Sequence, residues 1–333
     1  MTHCRSRWGE GPTTHVIQGG HYWNQVNGGY APFISNTAPP GIPAMRNYLL
    51  ASARYGHGEG GAGKRGSRAV YGGHSHVGTM IYLGNNWPDD YRNHLFTHNL
   101  HGHQMNHQVN VREAGGYNTL HAGQDVLFCS DQQYIGVDLQ YGPDGAVYIS
   151  DWYDPRHCHN PNLELWDRGN GRMYRMKYDA TFKPVQVDYT SASDQELAEA
   201  QLHPNDWHCR MARLVLAERA ASRPISPKAL ARLREIATTN QAANRRLRAI
   251  WALHAADALD ARFLDEFFKD QSESIRGWAV QLAVETLEPD ELEGPLKRLV
   301  TEDSSLFVRR YLASAIGRVP PQLGWQIAET LSQ

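Results

Sequence analysis

Only four cysteines occur in 333 residues: Cys4, Cys129, Cys158 and Cys209. No two form a CxxC pair, and no CxxCH occurs, which excludes zinc and redox sites built on that spacing and covalent haem attachment. The four thiols are read as mostly free. No apolar run approaches the roughly 18–20 residues of a membrane-spanning helix. A basic excess is also missing: 33 Lys and Arg face 35 Asp and Glu, for a net charge of −2 and a pI near 6.8. Nucleic acid is therefore not an expected partner. The opening, MTHCRSRWGEGPTTH, has no apolar h-region, so as written it is not a secretory signal. A cytoplasmic protein and a chain whose true N-terminus lies upstream both remain open.

Glycine and histidine become scarce part-way along. Of 30 glycines, all but Gly277, Gly294, Gly317 and Gly324 precede residue 190, and of 17 histidines all but His203, His208 and His254 do. Glycine punctuates short strands, whereas long helices exclude it. The first part is expected to be β-rich and the second helical, with domains at 1–188 and 193–333. In NDWHCRMARLVLAERAA, Trp207, Met211, Leu214 and Val215 fall three and four apart, on one helical face. NRRLRAIWALHAAD, ESIRGWAVQLAVET and SSLFVRRYLASAIGRV repeat the pattern, each with an arginine near its start (Arg210, Arg248, Arg276, Arg309). Neighbouring helices such as SPKALARLREIATT and ARFLDEFFKD pair with them. Paired helices at this period predict an α-solenoid, with an ordinary helical bundle as the alternative. Asp194, Asn205 and Ser226 are candidate N-caps.

In the β part, YIGVDLQYGPDGAVYISDWYD reads as a hairpin, since Pro143 presets the turn and Gly145 supplies a positive φ. Asn170-Gly171 before RMYRMKY marks a second hairpin, and LFTHNL and QMNHQVNV around His101-Gly102 a third. Short hairpins at similar intervals suggest a sandwich or a propeller. GHGEGGAGKRGSR (56–68) reads as an exposed loop: its glycines have neither the preceding strand nor the following helix of a phosphate loop.

GGHSHVGTMIYLGNNWPDDYRNHLFTHNLHG, YGPDGAVYISDWYD, CHN and DRGNGRMYRM, in that order, resemble the membrane-bound dehydrogenases of planctomycetes and verrucomicrobia. The resemblance covers roughly residues 70–320. It implies a β-propeller similar to glucose/sorbosone quinoprotein dehydrogenases, followed by HEAT-like repeats. A six-bladed propeller needs around 250 residues, so the resemblance implies the last three or four blades of a longer protein. The early blades, the signal sequence and the c-type haem domain of full-length relatives would be missing, and the fragment would be inactive alone. By the same resemblance the protein is extracytoplasmic or periplasmic and oxidises a sugar or polyol. Pyrroloquinoline quinone (PQQ) and Ca²⁺ are the implied cofactors, and the helical repeats dock a protein partner. Two departures stand out: Val77 where family members often carry Cys, and Gln133-Tyr134-Ile135-Gly136 where they often carry Trp-Phe-Arg-Gly. The missing early blades and Ile135 at the arginine position favour the alternative of a non-catalytic carbohydrate- or protein-binding module.

HLFTHNLHGHQMNH, residues 94–107, holds five histidines in fourteen positions. Strand alternation groups His98 with Phe96 and Leu100, and His103 and His107 with Met105 and Val109, leaving His101 at the bend. Read this way the histidines divide among a turn and more than one face, and do not form a metal cluster by themselves. His74 and His76, an H-x-H pair, would point the same way on a strand, as two imidazoles sharing a metal or substrate do. Asp131 precedes a strand; Asp151 and Asp154 follow one, where they either face a channel or cap the turn. Arg168, Arg172 and Arg175 read as exposed strand arginines. Cys158-His159 offers soft ligands that cannot all reach one ion. The candidate ligand or channel residues are thus His74, His76, His101, His121, Asp131 and Asp151, with His74, His76 and Asp131 as candidate metal ligands. No catalytic base is identified.

Overall fold

The computed structural model describes residues 2–4, 13–15, 17–20, 76–100, 103–154 and 169–333. The 56–68 loop, His74, His101, Cys158, His159 and Arg168 lie outside them. The chain divides into two compact units. One comprises Met1–Val16 and His21–Val185, the other Ile17–Gly20 and Gln186–Gln333.

The first unit is made of antiparallel sheets. β1 (Thr2–Cys4) pairs with β2 (Thr13–His15). A five-stranded sheet runs β3 (His76–Ile81), β4 (Leu95–Asn99), β5 (Gln104–Glu113), β6 (Gly116–His121), with β7 (Leu127–Phe128) also on β5. A three-stranded sheet has the order β10-β9-β8, from β8 (Gly136–Tyr141), β9 (Val147–Asp151) and β10 (Arg172–Met176). β10 is therefore the partner of β9 rather than half of a hairpin of its own.

The β8–β9 turn forms as its residues require. Gly145 takes φ +74°, and Asp144 Oδ1 accepts the Ala146 N–H at 3.0 Å. Tyr82, fully buried, locks this hairpin to the preceding sheet. Its hydroxyl donates to the Gly145 carbonyl at 2.8 Å and accepts from the Asn86 and Trp87 N–H groups. Asn86 then holds residues 178–181: its Nδ2 donates to the Tyr178 carbonyl and its Oδ1 accepts the Tyr178 N–H, both at 2.9 Å. The polar GNNWPD stretch is thus a structural clasp.

The second unit is helical. Among the described residues it contains α1 (Asp194–Glu199), α2 (Asp206–Ala220), α3 (Pro227–Thr239), α4 (Ala243–Ala255), α5 (Ala261–Phe267), α6 (Glu273–Thr286), α7 (Pro289–Glu302), α8 (Leu306–Ala315) and α9 (Pro321–Ser332). The apolar spacing explains the packing: Ala229, Leu233, Ile236 and Ala237 of α3 face inward, as do Ile275, Ala279, Leu282 and Ala283 of α6. Helices α2, α4, α6 and α8 neighbour one another in that order, while α3 and α5 pack on α4 and α6. α7 carries Pro295 in its interior, a residue that weakens the helical pattern in sequence.

A polar register runs through these pairs. Asn205, Asn240, Asp270 and Asp303 each stand in the loop before α2, α4, α6 or α8, and each side chain accepts the N–H two residues on. Six residues after the last three come Arg246, Arg276 and Arg309. Arg246 pairs with Asp270, and Arg276 with Asp303 at 2.6 Å. The repeating arginine of α4 is therefore Arg246; Arg248 instead reaches back to Asp206 at 2.8 Å. Asn205 caps α2 as expected, but Ser226 makes no side-chain cap bond, and Ser193 rather than Asp194 caps α1.

Asp194 is otherwise engaged. Arg223 donates to both its oxygens at 2.8 Å, Arg219 to Oδ1 at 2.9 Å, and the Ser226 N–H to Oδ2. Arg223 first, then the Ser226 N–H and Arg219, holds the carboxyl well below the usual carboxylate range. A pKa depressed on folding stabilises above the unfolded value and is lost as pH falls through the folded one. Asp194→Asn should cost about 2 kcal/mol at pH 7, and the difference should begin to shrink only as pH falls below the ordinary carboxylate value of about 4, persisting in good part at about pH 3. Denaturant titrations followed by helix circular dichroism at both pH values check this.

Candidate functional site

The histidine-rich hairpin has a register that alternation on single strands does not reveal. A four-residue connection, 100–103, closes with His103 in the left-handed region at φ +49°, and pairs Phe96 with His107 and His98 with Met105. Residues paired across antiparallel strands share a face. His94, Phe96, His98, Met105 and His107 therefore lie on one face, which corrects the division expected above. His107 stacks on Phe96 with ring centroids 4.7 Å apart. Its Nδ1 faces the Gln124 carbonyl at 3.2 Å. Carbonyls only accept, so the neutral ring carries its proton there and takes the His94 Nδ1–H, 2.8 Å away, at Nε2. The opposite face is also buried but polar, with Thr97, Gln104, Asn106 and Gln108. Gln104 Nε2 donates to Asn106 at 2.9 Å, and Asp125 accepts the His107 N–H. The T-x-N and Q-x-N-x-Q alternation was its sequence signal.

His98 leads to the second sheet. Its Nε2 lies 2.9 Å from the Tyr134 hydroxyl. Burial, then the negative charge of Asp151, pushes that hydroxyl above the ordinary tyrosine value, so it stays protonated. Gly136 passes so close that a Cβ there would overlap the His98 ring and stand 2.8 Å from the Tyr134 oxygen.

Gly136 pairs with Asp151, the last residue of β9. Asp151 is only 3% exposed. Its Oδ1 accepts the Ile135 N–H at 2.8 Å and the Tyr153 N–H at 2.9 Å, the second being the local cap expected of it. Its Oδ2 is buried and has no hydrogen-bond partner. Tyr153, held by that cap, sits in the left-handed region at φ +48°, unusual for an aromatic residue and a form of strain that collects at functional sites. The Arg172 guanidinium lies 3.4 Å from the centre of the Tyr153 ring. Around them Trp152 is 49% exposed, Tyr174 40% and Met173 70%. The end of β9 and the strand β10 thus present aromatic rings and an arginine beside a carboxylate.

The other candidates are placed separately. Asp131 is exposed and accepts the Gln133 N–H at 2.9 Å in a local turn. His76 opens β3 and His121 closes β6, the two strands being separated by β4 and β5. At about 4.8 Å between strands, their backbones are too far apart to share an ion. Ile135 is a core residue at 1% exposure. Among the described residues no group of three or more His, Cys, Asp or Glu could hold a metal ion.

Residues 54–180 match the family model of DUF7133, a domain of unknown function. No curated protein and no solved structure matches the chain. The matched stretch contains the histidine hairpin, Tyr134, Asp151 and β10, so the whole candidate site falls within it. No helix among the described residues is long and apolar enough to cross a membrane.

Proposed function

We propose that the sheet unit is the sugar- or polyol-binding part of a dehydrogenase-like β-propeller, and that the helical unit is a scaffold of HEAT-like helix pairs that docks protein. The surface around Asp151 carries this reading. Tyr174, on the face of β10 that it shares with Arg172, offers an exposed ring to the C–H side of a sugar, a pairing of aromatic body and polar edge suited to amphipathic ligands. Arg172 supplies donors from the same face, next to Asp151 and the Tyr153 ring. An exposed aromatic ring beside an arginine and a carboxylate is the kind of surface that binds such ligands. Isothermal titration of the full chain over a panel of monosaccharides, polyols and short glycans is the test. Tyr174→Ala should weaken binding at least fivefold without lowering the melting temperature by more than a few degrees, while Trp152→Ala, on the other face of the sheet, should leave binding unchanged. Absence of binding to every member of the panel would refute the reading.

A second reading, an extracytoplasmic oxidoreductase acting next to a c-type haem domain, is favoured by the order of the dehydrogenase-like motifs. PQQ with Ca²⁺ would supply hydride acceptance in such an enzyme. Ca²⁺ needs six to eight oxygens, and the described carboxylates do not provide them. Asp131 and Asp151 each use an oxygen on backbone N–H groups. A dye-linked assay with PQQ and Ca²⁺ over the same panel separates the readings, since turnover would favour the oxidoreductase.

A further inference from the structure

Four residues far from the helices in sequence belong to the helical unit: Ile17, Gln18, Gly19 and Gly20. Ile17 is 5% exposed and sits in the apolar core of that unit. Gln18 Oε1 accepts from Gln281 Nε2 of α6 at 2.9 Å, and the same amide donates to Glu285. Glu285 is in turn paired with Arg318 at 3.3 Å. Gly19 takes φ +80°, and a Cβ there would strike the Ser314 carbonyl and stand 2.6 Å from Arg318 Cδ. The Gly20 N–H closes the turn on the Ile17 carbonyl at 3.0 Å. An apolar anchor, a side-chain amide read by a buried glutamine, and a glycine required by both φ and space are three separate recognition elements within four residues.

We propose that α6, α8 and the turn Ile316–Arg318 form a peptide-binding groove, and that residues 17–20 of this chain are its built-in ligand. The groove takes an apolar-Gln-Gly turn. Gln281 fixes the amide, the aliphatic part of Arg318 underlies the glycine, and the Ser314 carbonyl leaves no room for a side chain. This inference does not rest on the sugar-binding reading, which concerns the other unit.

The test uses the full chain and a fluorescein-labelled peptide, THVIQGGHY, spanning residues 14–22. In the natural chain the groove is filled, so the peptide should bind weakly. In the Gly19→Val chain the segment is expelled, and the peptide should bind at least tenfold more tightly. The same peptide carrying Gly19→Val should bind neither. In parallel, hydrogen exchange at Gly20 should quicken at least tenfold in the Gly19→Val chain while α6 and α8 keep their protection. If that chain fails to fold, Gln18→Ala, which adds no bulk, should speed Gly20 exchange severalfold. Equal peptide binding by both chains, or unchanged Gly20 exchange in the variants, would overturn the proposal.

Discussion

Arg276→Ala is expected to destabilise the helical unit by about 3–5 kcal/mol, the usual cost of removing one partner of a largely buried ion pair. Arg276 holds Asp303 with two nitrogens, Nε to Oδ2 at 2.6 Å and Nη2 to Oδ1 at 3.2 Å. Its third nitrogen donates to the Asp270 and Gln271 carbonyls in the loop before its own helix. One side chain thus joins the α5–α6 loop to the α7–α8 loop. Asp303 is 6% exposed, so its charge would be left without a counterion away from water. Arg276→Lys keeps the charge but not the planar fork that meets two carboxylate oxygens at once, and should recover no more than half of the loss. Urea titrations followed by circular dichroism at 222 nm provide both values. A loss below 1 kcal/mol for Arg276→Ala would mean that the Arg–Asp series is decoration rather than structure.

The arginines also show how far the sequence could be read. Four were visible near the starts of apolar-periodic segments, and the helices carrying them are present. Which arginine repeats was less legible: Arg246 and Arg248 lie two apart, about 200° around a helix at 3.6 residues per turn, and only the position of Asp270 decides between them. The helices α1, α7 and α9 were not singled out: α1 is short, and Pro295 inside α7 argues against a helix, although Leu292, Leu296, Leu299 and Val300 keep helical spacing there. In the β part, the GPDG turn was legible because its chemistry is local. The face shared by His94, His98 and His107 was not, because it depends on the register between two strands, which the 100–103 connection sets. Nothing local marks Ile17–Gly20 as part of the helical unit, since its partners, Gln281, Ser314 and Arg318, are contacts across most of the chain. At the candidate site, Asp151 was visible as a residue at a strand end. Trp152, Tyr153 and Tyr174 were not singled out, since whether an aromatic residue near a strand end is buried or exposed follows from the neighbours it meets.

Gly136→Ala tests the joint between the two larger sheets. Gly136 is the residue of β8 that faces Asp151, and the His98 ring and Tyr134 hydroxyl occupy the place where its side chain would be. The single added methyl must push the imidazole off the tyrosine and break their 2.9 Å hydrogen bond. Overpacking of a buried site costs about 1–3 kcal/mol, and stranding a buried hydroxyl costs about 1–3 kcal/mol more. A loss of about 4 kcal/mol, within that combined range, is therefore expected for the unfolding transition of the sheet unit. The cause can be isolated, because removing the obstructing ring should relieve the clash. His98→Ala alone leaves a cavity and an unpaired Tyr134 hydroxyl, but it also opens the space that the new methyl on β8 needs. The double variant should then lose at least about 1.5 kcal/mol less than the two single losses added, a coupling in the range of contacting residues. Strict additivity would show that the Gly136 requirement comes from elsewhere. A sheet that survives the methyl while losing sugar binding would show that the Gly136–Asp151 pairing positions the Asp151 carboxylate and its aromatic surround more than it stabilises the fold.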